Sequence, residues 1–135
     1  YLIKDNNCLI TGDHIMDGST VVIGPPDGNM RSYIDSLNKL FKYKIDYFAP
    51  GHGNFMHHPK KTIKSIIRHR LSREAKVIRK LEDSGETNLE ALTALVYDDV
   101  SEHLHPIAKF SLEAHLIKLL EEGIINKDKD NFTKI

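Results

Sequence analysis

Two glycine-flanked turns constrain this chain more than any other feature in it. Gly12-Asp13-His14 follows the apolar run Cys8-Leu9-Ile10-Thr11, and Pro50-Gly51-His52-Gly53 follows a second such run, Ile45 to Phe48. Turns of this kind place a side chain at a strand's end, where it can point into a shared cleft. Each offers one potential metal ligand, a carboxylate from Asp13 and an imidazole from His52. Zinc sites usually take three or more protein donors, so the pair reads as half of a metal site. Tyr1 opens the chain within the apolar run Tyr1-Leu2-Ile3 and no initiator Met precedes it. The expectation is therefore the C-terminal part of a longer protein.

Around these turns the pattern alternates strand, helix and strand. Tyr1 to Lys4 and Cys8 to Thr11, divided by Asp5-Asn6-Asn7, predict a β-hairpin. Thr20 to Ile23 is β-branched and predicts a third strand. After the loop Gly24-Pro25-Pro26-Asp27-Gly28-Asn29, in which Asn29 or Asp27 can cap a helix, Met30, Tyr33, Ile34, Leu37 and Leu40 recur at helical spacing to about Phe41. Ile45 to Phe48 returns as a strand. The alternation predicts α/β architecture over 1–58.

Past Pro59 the residues Ile63, Ile67, Leu71, Ala75, Ile78 and Leu81 trace one stripe along a long helix, 59–84, stopped by Gly85. Thr87-x-x-Glu90 has the form of a capping box for a helix carrying Leu89, Leu92, Leu95 and Val96. Ser101 can cap the next segment, which Pro106 enters near its first turns or kinks, and a last helix runs from about Ser111 to Glu122 before Gly123. Ile124-Ile125 and Phe132 to Ile135 predict a terminal hairpin. Three helices and a hairpin over 85–135 follow the order of a winged helix, a variant of the helix-turn-helix.

Composition sets limits on partners. The 135 residues are 40% apolar, enough for a core, and no stretch approaches the ~20 apolar residues of a membrane span. With one cysteine, Cys8, there is no internal disulfide, and its apolar neighbours suit a small strand hydrophobe in a reducing compartment, the cytoplasm or an organelle matrix. Zero net charge hides an asymmetry: Lys60 to Lys80 holds ten basic residues against the single acid Glu74, whereas Glu82 to Glu122 holds ten acids against Lys109 and Lys118. Opposite potentials on the two stretches bear on partners rather than on fold.

Several residues admit two readings. Asp13 can bind a cation or close an Asx turn, and His52 can ligate or simply hydrogen-bond the backbone. His14 can contact a substrate or support the ligands, or sit partly exposed on its turn. His57-His58 face opposite ways on an extended chain, and His103 and His105 share no helix face, so none of these is assigned to metal. Lys64, Arg68, Arg70 and Arg73 can follow a phosphate backbone by charge or form a solvated helix face. Double-stranded DNA is disfavoured, because Ser111 to Glu122, in the place of a recognition helix, carries Glu113, Glu121 and Glu122 against Lys118.

The ordered set Gly12-Asp13-His14, Pro25-Pro26-Asp27-Gly28-Asn29, Pro50-Gly51-His52-Gly53, His69-Arg70-x-x-Arg73-Glu74 and His115-Leu116-x-Lys118-Leu119-x-Glu121-Glu122-Gly123 resembles the C-terminal part of a metallo-β-lactamase-fold hydrolase of the lactamase-β-2-like group, with its appended winged-helix domain. The resemblance implies the second half of a four-layer αββα sandwich built around two zinc ions. It assigns Asp13 as the acid bridging the metals and His52 as a ligand of one. The group's His-x-His-x-Asp-His motif and a further ligand histidine are absent and would lie upstream of Tyr1 with the main catalytic residues. The chain alone is then expected to be inactive. Relatives in this group include endoribonucleases acting on single-stranded RNA and enzymes that hydrolyse thioesters or other acyl compounds. The basic helix tilts the reading toward RNA. Hydrolysis of a small acyl substrate, and a non-enzymatic winged-helix module for binding or homodimer formation, remain the alternatives.

Overall fold

The computed structural model describes residues 1–135, which divide into two compact units. The first comprises Tyr1–Val21 and Ile34–His69, the second Val22–Tyr33 and Arg70–Ile135.

In the first unit β1 (Leu2–Ile3) and β2 (Cys8–Gly12) form the expected antiparallel hairpin, with Leu2 opposite Leu9. Strand β3 (Tyr47–Pro50) pairs with β2 in parallel, giving the order β1-β2-β3. It starts two residues later than the apolar run suggests. Its outer edge is occupied by Met56, which exchanges both backbone hydrogen bonds with Phe48, at 2.9 and 3.0 Å. Thr20 to Ile23, expected as a strand, lies outside every strand of the sheet. Strand preference is realised only through a partner, and here β3's outer edge is already taken. The parallel connection from β2 to β3 passes through helix α1 (Met30–Lys39), capped by Asn29, whose Oδ1 accepts from the Ser32 N–H at 2.9 Å. Leu37, Phe48, Ile15, Ile63 and Cys8 are buried in this unit, and Cys8 is the strand hydrophobe expected of it.

Helix α2 (Pro59–Ser84) belongs to both units by sequence. Its buried positions correct the predicted stripe. Ile63 and Leu81 are buried as expected, but Leu71 is 45% exposed and Ala75 exposed, while Arg70, Glu74 and Val77 are buried instead. The inward line holds charged groups because each has an interior partner.

The second unit begins with β4 (Thr87–Asn88) and α3 (Leu89–Val96), continues through a 3-10 turn into α4 (His105–Glu121), and ends in the hairpin β5 (Ile125–Asp128) and β6 (Asn131–Lys134). The three strands are ordered β4-β6-β5 and antiparallel. Asn88 rather than Thr87 caps α3: its Oδ1 accepts from the Ala91 N–H at 2.9 Å, and Thr87 is spent in the ladder opposite Phe132. The last helix starts at His105, not Ser111, because Pro106 in its first turn has no N–H to satisfy. It stops at Gly123 (φ 68°), where Ile124 N–H reaches Leu119 O and Gly123 N–H reaches Leu120 O, a Schellman close.

Val77, Leu81, Leu92, Val96, Leu112, Leu116, Leu119, Ile125 and Phe132 form the core of this unit, each apolar side chain contributing ~1.5–3 kcal/mol by leaving water. Beside it lies a buried polar cluster. Glu74 accepts from Lys118 Nζ at 2.7 Å and from His115 Nδ1 at 3.4 Å, and Lys118 also reaches Glu122. Burial works against the Glu74 carboxylate, yet the hydrogen bonds from His115 and Lys118 and the Lys118 charge outweigh it and hold its pKa below the ordinary value. Burial pushes the His115 pKa down, keeping the ring neutral at pH 7, so Nδ1–H is the donor and Nε2 is left buried with no partner.

Candidate functional site

Parallel pairing brings the two turns together. Cys8, Leu9 and Ile10 lie opposite Tyr47, Phe48 and Ala49; then the register slips, so that Gly12 faces Pro50 and Thr11 is an extra residue on β2. Such a bulge twists the strand end and re-aims the side chains beyond it. The ladder continues one step past the strands, with Gly51 N–H donating to Gly12 O at 2.8 Å. Thr11 Oγ1 donates to Ile15 O at 2.8 Å and closes the Gly12-Asp13-His14 turn from within.

At these carboxyl ends Asp13 Oδ1 and His52 Nε2 stand 3.5 Å apart, with side chains 64% and 80% exposed. The chain passes close at Gly51: a Cβ there would lie 2.9 Å from Asp13 Oδ1, the movable end of an exposed side chain, and 3.3 Å from the Gly12 carbonyl carbon. Gly53 has φ 91°, and its Cβ would collide with Asp17 Cβ at 2.6 Å. Asp17 fastens the second turn, since its Oδ2 accepts from the Asn54 N–H at 3.1 Å and from Asn54 Nδ2 at 3.3 Å. Neither Asp17 nor Asn54 was singled out in the sequence; the available signal was an acid and an amide each next to a glycine. His14, the other candidate, lies 2.8 Å from Ser36 Oγ through Nε2, and partial burial lowers its pKa.

Asp13 and His52 supply one oxygen and one nitrogen donor side by side, chemistry that suits one edge of a divalent-metal site. They do not complete it. No group of three or more histidine, cysteine, aspartate or glutamate side chains could hold an ion in this chain, whereas structural and catalytic zinc sites take three or four protein ligands.

The four basic candidates divide. Lys64 and Arg68 are exposed. Arg70 is 5% exposed, with its guanidinium 5.4 Å from the centre of the Tyr33 ring. Arg73 makes a bidentate pair with Asp99 at 2.8 and 3.0 Å, donates to Val96 O and stacks 4.5 Å from the centre of the Tyr97 ring. Arg70 and Arg73 are therefore corrected from backbone-binding candidates to internal fastenings, because a planar guanidinium can be both paired and stacked in the interior. His105 is likewise occupied, its Nε2 lying 3.0 Å from Tyr97 O.

Comparison with known proteins defines the class. Residues 89–134 match the β-lactamase associated winged helix domain. Over 99% of its length the chain superposes on a metallo-β-lactamase family protein from Thermus thermophilus (TM-score 0.84, 16% identity, 44% of that chain). A β-lactamase domain protein from Burkholderia ambifaria gives the same result (TM-score 0.86, 17% identity, 99% of this chain and 43% of that one). At those identities the likeness is one of fold. This chain is a metallo-β-lactamase-fold protein with a winged-helix domain, as the five motifs led us to expect.

Among curated proteins it is similar to the β-lactamase-like protein 2 homologue of Drosophila melanogaster, 31% identical over 130 residues, which are 95% of this chain and 43% of that protein. The corresponding protein of Caenorhabditis elegans is 25% identical over 123 residues, 91% of this chain and 40% of its own length. The chain thus spans about two fifths of these relatives. No helix is long and apolar enough to cross a membrane.

Proposed function

We propose that this chain supplies the Asp13–His52 edge of a two-zinc centre in a hydrolase that cleaves phosphodiester bonds of single-stranded RNA. The observation that carries the reading is the 3.5 Å approach of a carboxylate and an imidazole at the carboxyl ends of two adjacent parallel strands, the edge at which α/β sheets bind ligands. The remaining ligands come from a part of the polypeptide outside these 135 residues, so the chain alone is inactive. Asp13 and His52 would hold one side of a divalent cation there, which would supply Lewis-acid stabilisation of the charge on the attacked group. The chain's own residues do the positioning: Asp13 presents its carboxylate across Gly51, His52 presents Nε2, and Asp17 fixes the turn through Asn54.

RNA is favoured over a small acyl substrate by Lys60, Lys61, Lys64 and Arg68. All four are exposed and none enters an ion pair, so they are available to phosphates. The acyl reading keeps one point in its favour, the description β-lactamase-like that these relatives carry. A duplex-binding role for the winged helix is disfavoured, since Lys109 and Lys118 of α4 are already paired with Glu90 and Glu74.

The test is cleavage of a labelled single-stranded RNA by the polypeptide that joins this chain to the remaining ligands, with zinc added. Asp13→Ala or His52→Ala should each lower the rate by about 10³-fold, the equivalent of roughly 4 kcal/mol, with the melting temperature unchanged because both side chains are exposed. Cleavage that survives both substitutions refutes the assignment. An RNA left intact while a thioester is hydrolysed, independently of salt, moves the substrate to the acyl class.

A further inference from the structure

A second place in the first unit has the chemistry of a binding site, at the opposite end of β3 from Asp13 and His52. A groove of about 660 Å³ opens between the segment Lys42–Asp46 and the start of α2, His57–Lys61. Four lysines line it, Lys42, Lys44, Lys60 and Lys61, all exposed and none ion-paired. The single carboxylate present, Asp46, is held by Asn7 Nδ2 at 2.8 Å. Four like charges around one concavity repel one another, a cost relieved when an anion enters.

Charge alone would suit any phosphate, but the groove also offers rings. Tyr43 lines it and is 46% exposed. His57, on the opposite wall, lies 6.0 Å from the Tyr47 ring at a tilt of 33°, and Tyr47 in turn packs edge-on against Phe55 at 5.6 Å. Phe55 is 62% exposed. A row of partly exposed rings leading into a lysine-lined groove is the combination that holds unpaired nucleotides, phosphates on the cations and bases on the ring faces. A duplex hides its base faces, and a small acyl compound needs neither element.

We propose that this groove docks single-stranded RNA, with phosphates on Lys42, Lys44, Lys60 and Lys61 and a base on Tyr43. Its nearest wall, His57, lies five residues of chain from His52, at most ~18 Å, and Lys64 and Arg68 continue the cationic track from Lys60 at successive i, i+4 steps. The groove holds the strand at a distance from the metal edge and so sets which bond is presented there. This rests on the RNA reading above, but binding and cleavage are separable.

The test is fluorescence anisotropy of a labelled 12-nucleotide oligouridylate with this chain, read against salt and without cleavage. Replacing the four groove lysines with glutamine should weaken binding by at least tenfold and flatten the salt dependence by about two to three in log–log slope. Tyr43→Ala should weaken it about tenfold and Tyr43→Phe restore it, since the ring face rather than the hydroxyl does the stacking. Arg79→Ala, an exposed cation elsewhere on α2, should change binding little. Circular dichroism confirms that the variants fold. Binding indifferent to the lysine replacement overturns the proposal, even if the intact protein cleaves RNA at Asp13 and His52. Dependence on the lysines but not on Tyr43, with inorganic phosphate competing as well as the oligonucleotide does, also overturns it and leaves a phosphate site. Groove-dependent binding of an RNA that is never cleaved upholds the groove and defeats the nuclease reading.

Discussion

Replacing Lys118 with methionine tests how the second unit tolerates charge in its interior. The change keeps most of the side chain's length and volume but removes the ammonium that lies 2.7 Å from Glu74 and 2.9 Å from Glu122. Glu122 keeps Arg31 at 3.3 Å and has access to water. Glu74 does not: its side chain is 10% exposed, and the only donor left to it is His115 Nδ1, at 3.4 Å. Stranding one member of a buried pair costs ~3–5 kcal/mol, and the surviving histidine contact places this case near 3. For a chain of this size that corresponds to a fall of about 10 °C in melting temperature. Urea unfolding at pH 7 and again at pH 4 is the assay. With its cation gone the Glu74 carboxyl titrates above its ordinary value, so acid relieves the variant while it weakens the wild type, and the stability gap should narrow at pH 4. Adding Glu74→Gln should recover at least half of the loss, because an amide oxygen still accepts from His115. A deficit below about 1 kcal/mol that is equal at both pH values would refute the claim that this pair is buried and charged.

Three further outcomes are expected from the same contacts. Wild-type stability should fall as pH drops below 6.5: burial depresses His115 in the folded state, so the unfolded chain takes up its proton first, and the decline steepens below 4.5 as Glu74 titrates with the same sign; His115→Gln should flatten the upper part of a urea-midpoint profile. Asn88→Ala should lower stability by about 1 kcal/mol through loss of the cap on α3, measured by thermal unfolding, whereas Thr87→Val should leave the Ala91 N–H capped. Gly53→Ala should cost ~1–3 kcal/mol, because the residue meets both a positive φ and the Asp17 Cβ, and should reduce RNA cleavage by displacing His52.

Much of this arrangement was legible in the sequence where the signal is local. The hairpin at Leu2–Ile3 and Cys8–Gly12, the α1 cap at Asn29, the stop at Gly123 and the closing β5–β6 hairpin each arise from a few neighbouring residues. The failures share a cause. Thr20–Ile23 has strand composition but joins no strand, and the outer edge of β3 is bridged by Met56 instead. The apolar stripe of α2 runs through Leu71 and Ala75 if charge faces water, whereas Arg70 and Glu74 turn inward. Their justification sits on other segments, in Tyr33, His115 and Lys118, which no periodicity within α2 can reveal. Asp13 and His52 were readable as candidates, since each sits between or beside glycines. Their 3.5 Å approach was not, because it depends on the parallel register and on the extra residue at Thr11.

That register has a consequence for how the protein can change. The two ligands are aligned by the hydrogen bonds between β2 and β3 and by the Gly51-to-Gly12 bond beyond them, and not by the length of chain that joins the strands. Doubling a flexible connection costs only ~0.6 kcal/mol of closure entropy. Insertions near the exposed Gly18 should therefore be tolerated as long as Asp17 still fastens Asn54. The loop around Gly18 is free to diversify, in natural lineages or by design, while the pair of donors keeps its spacing.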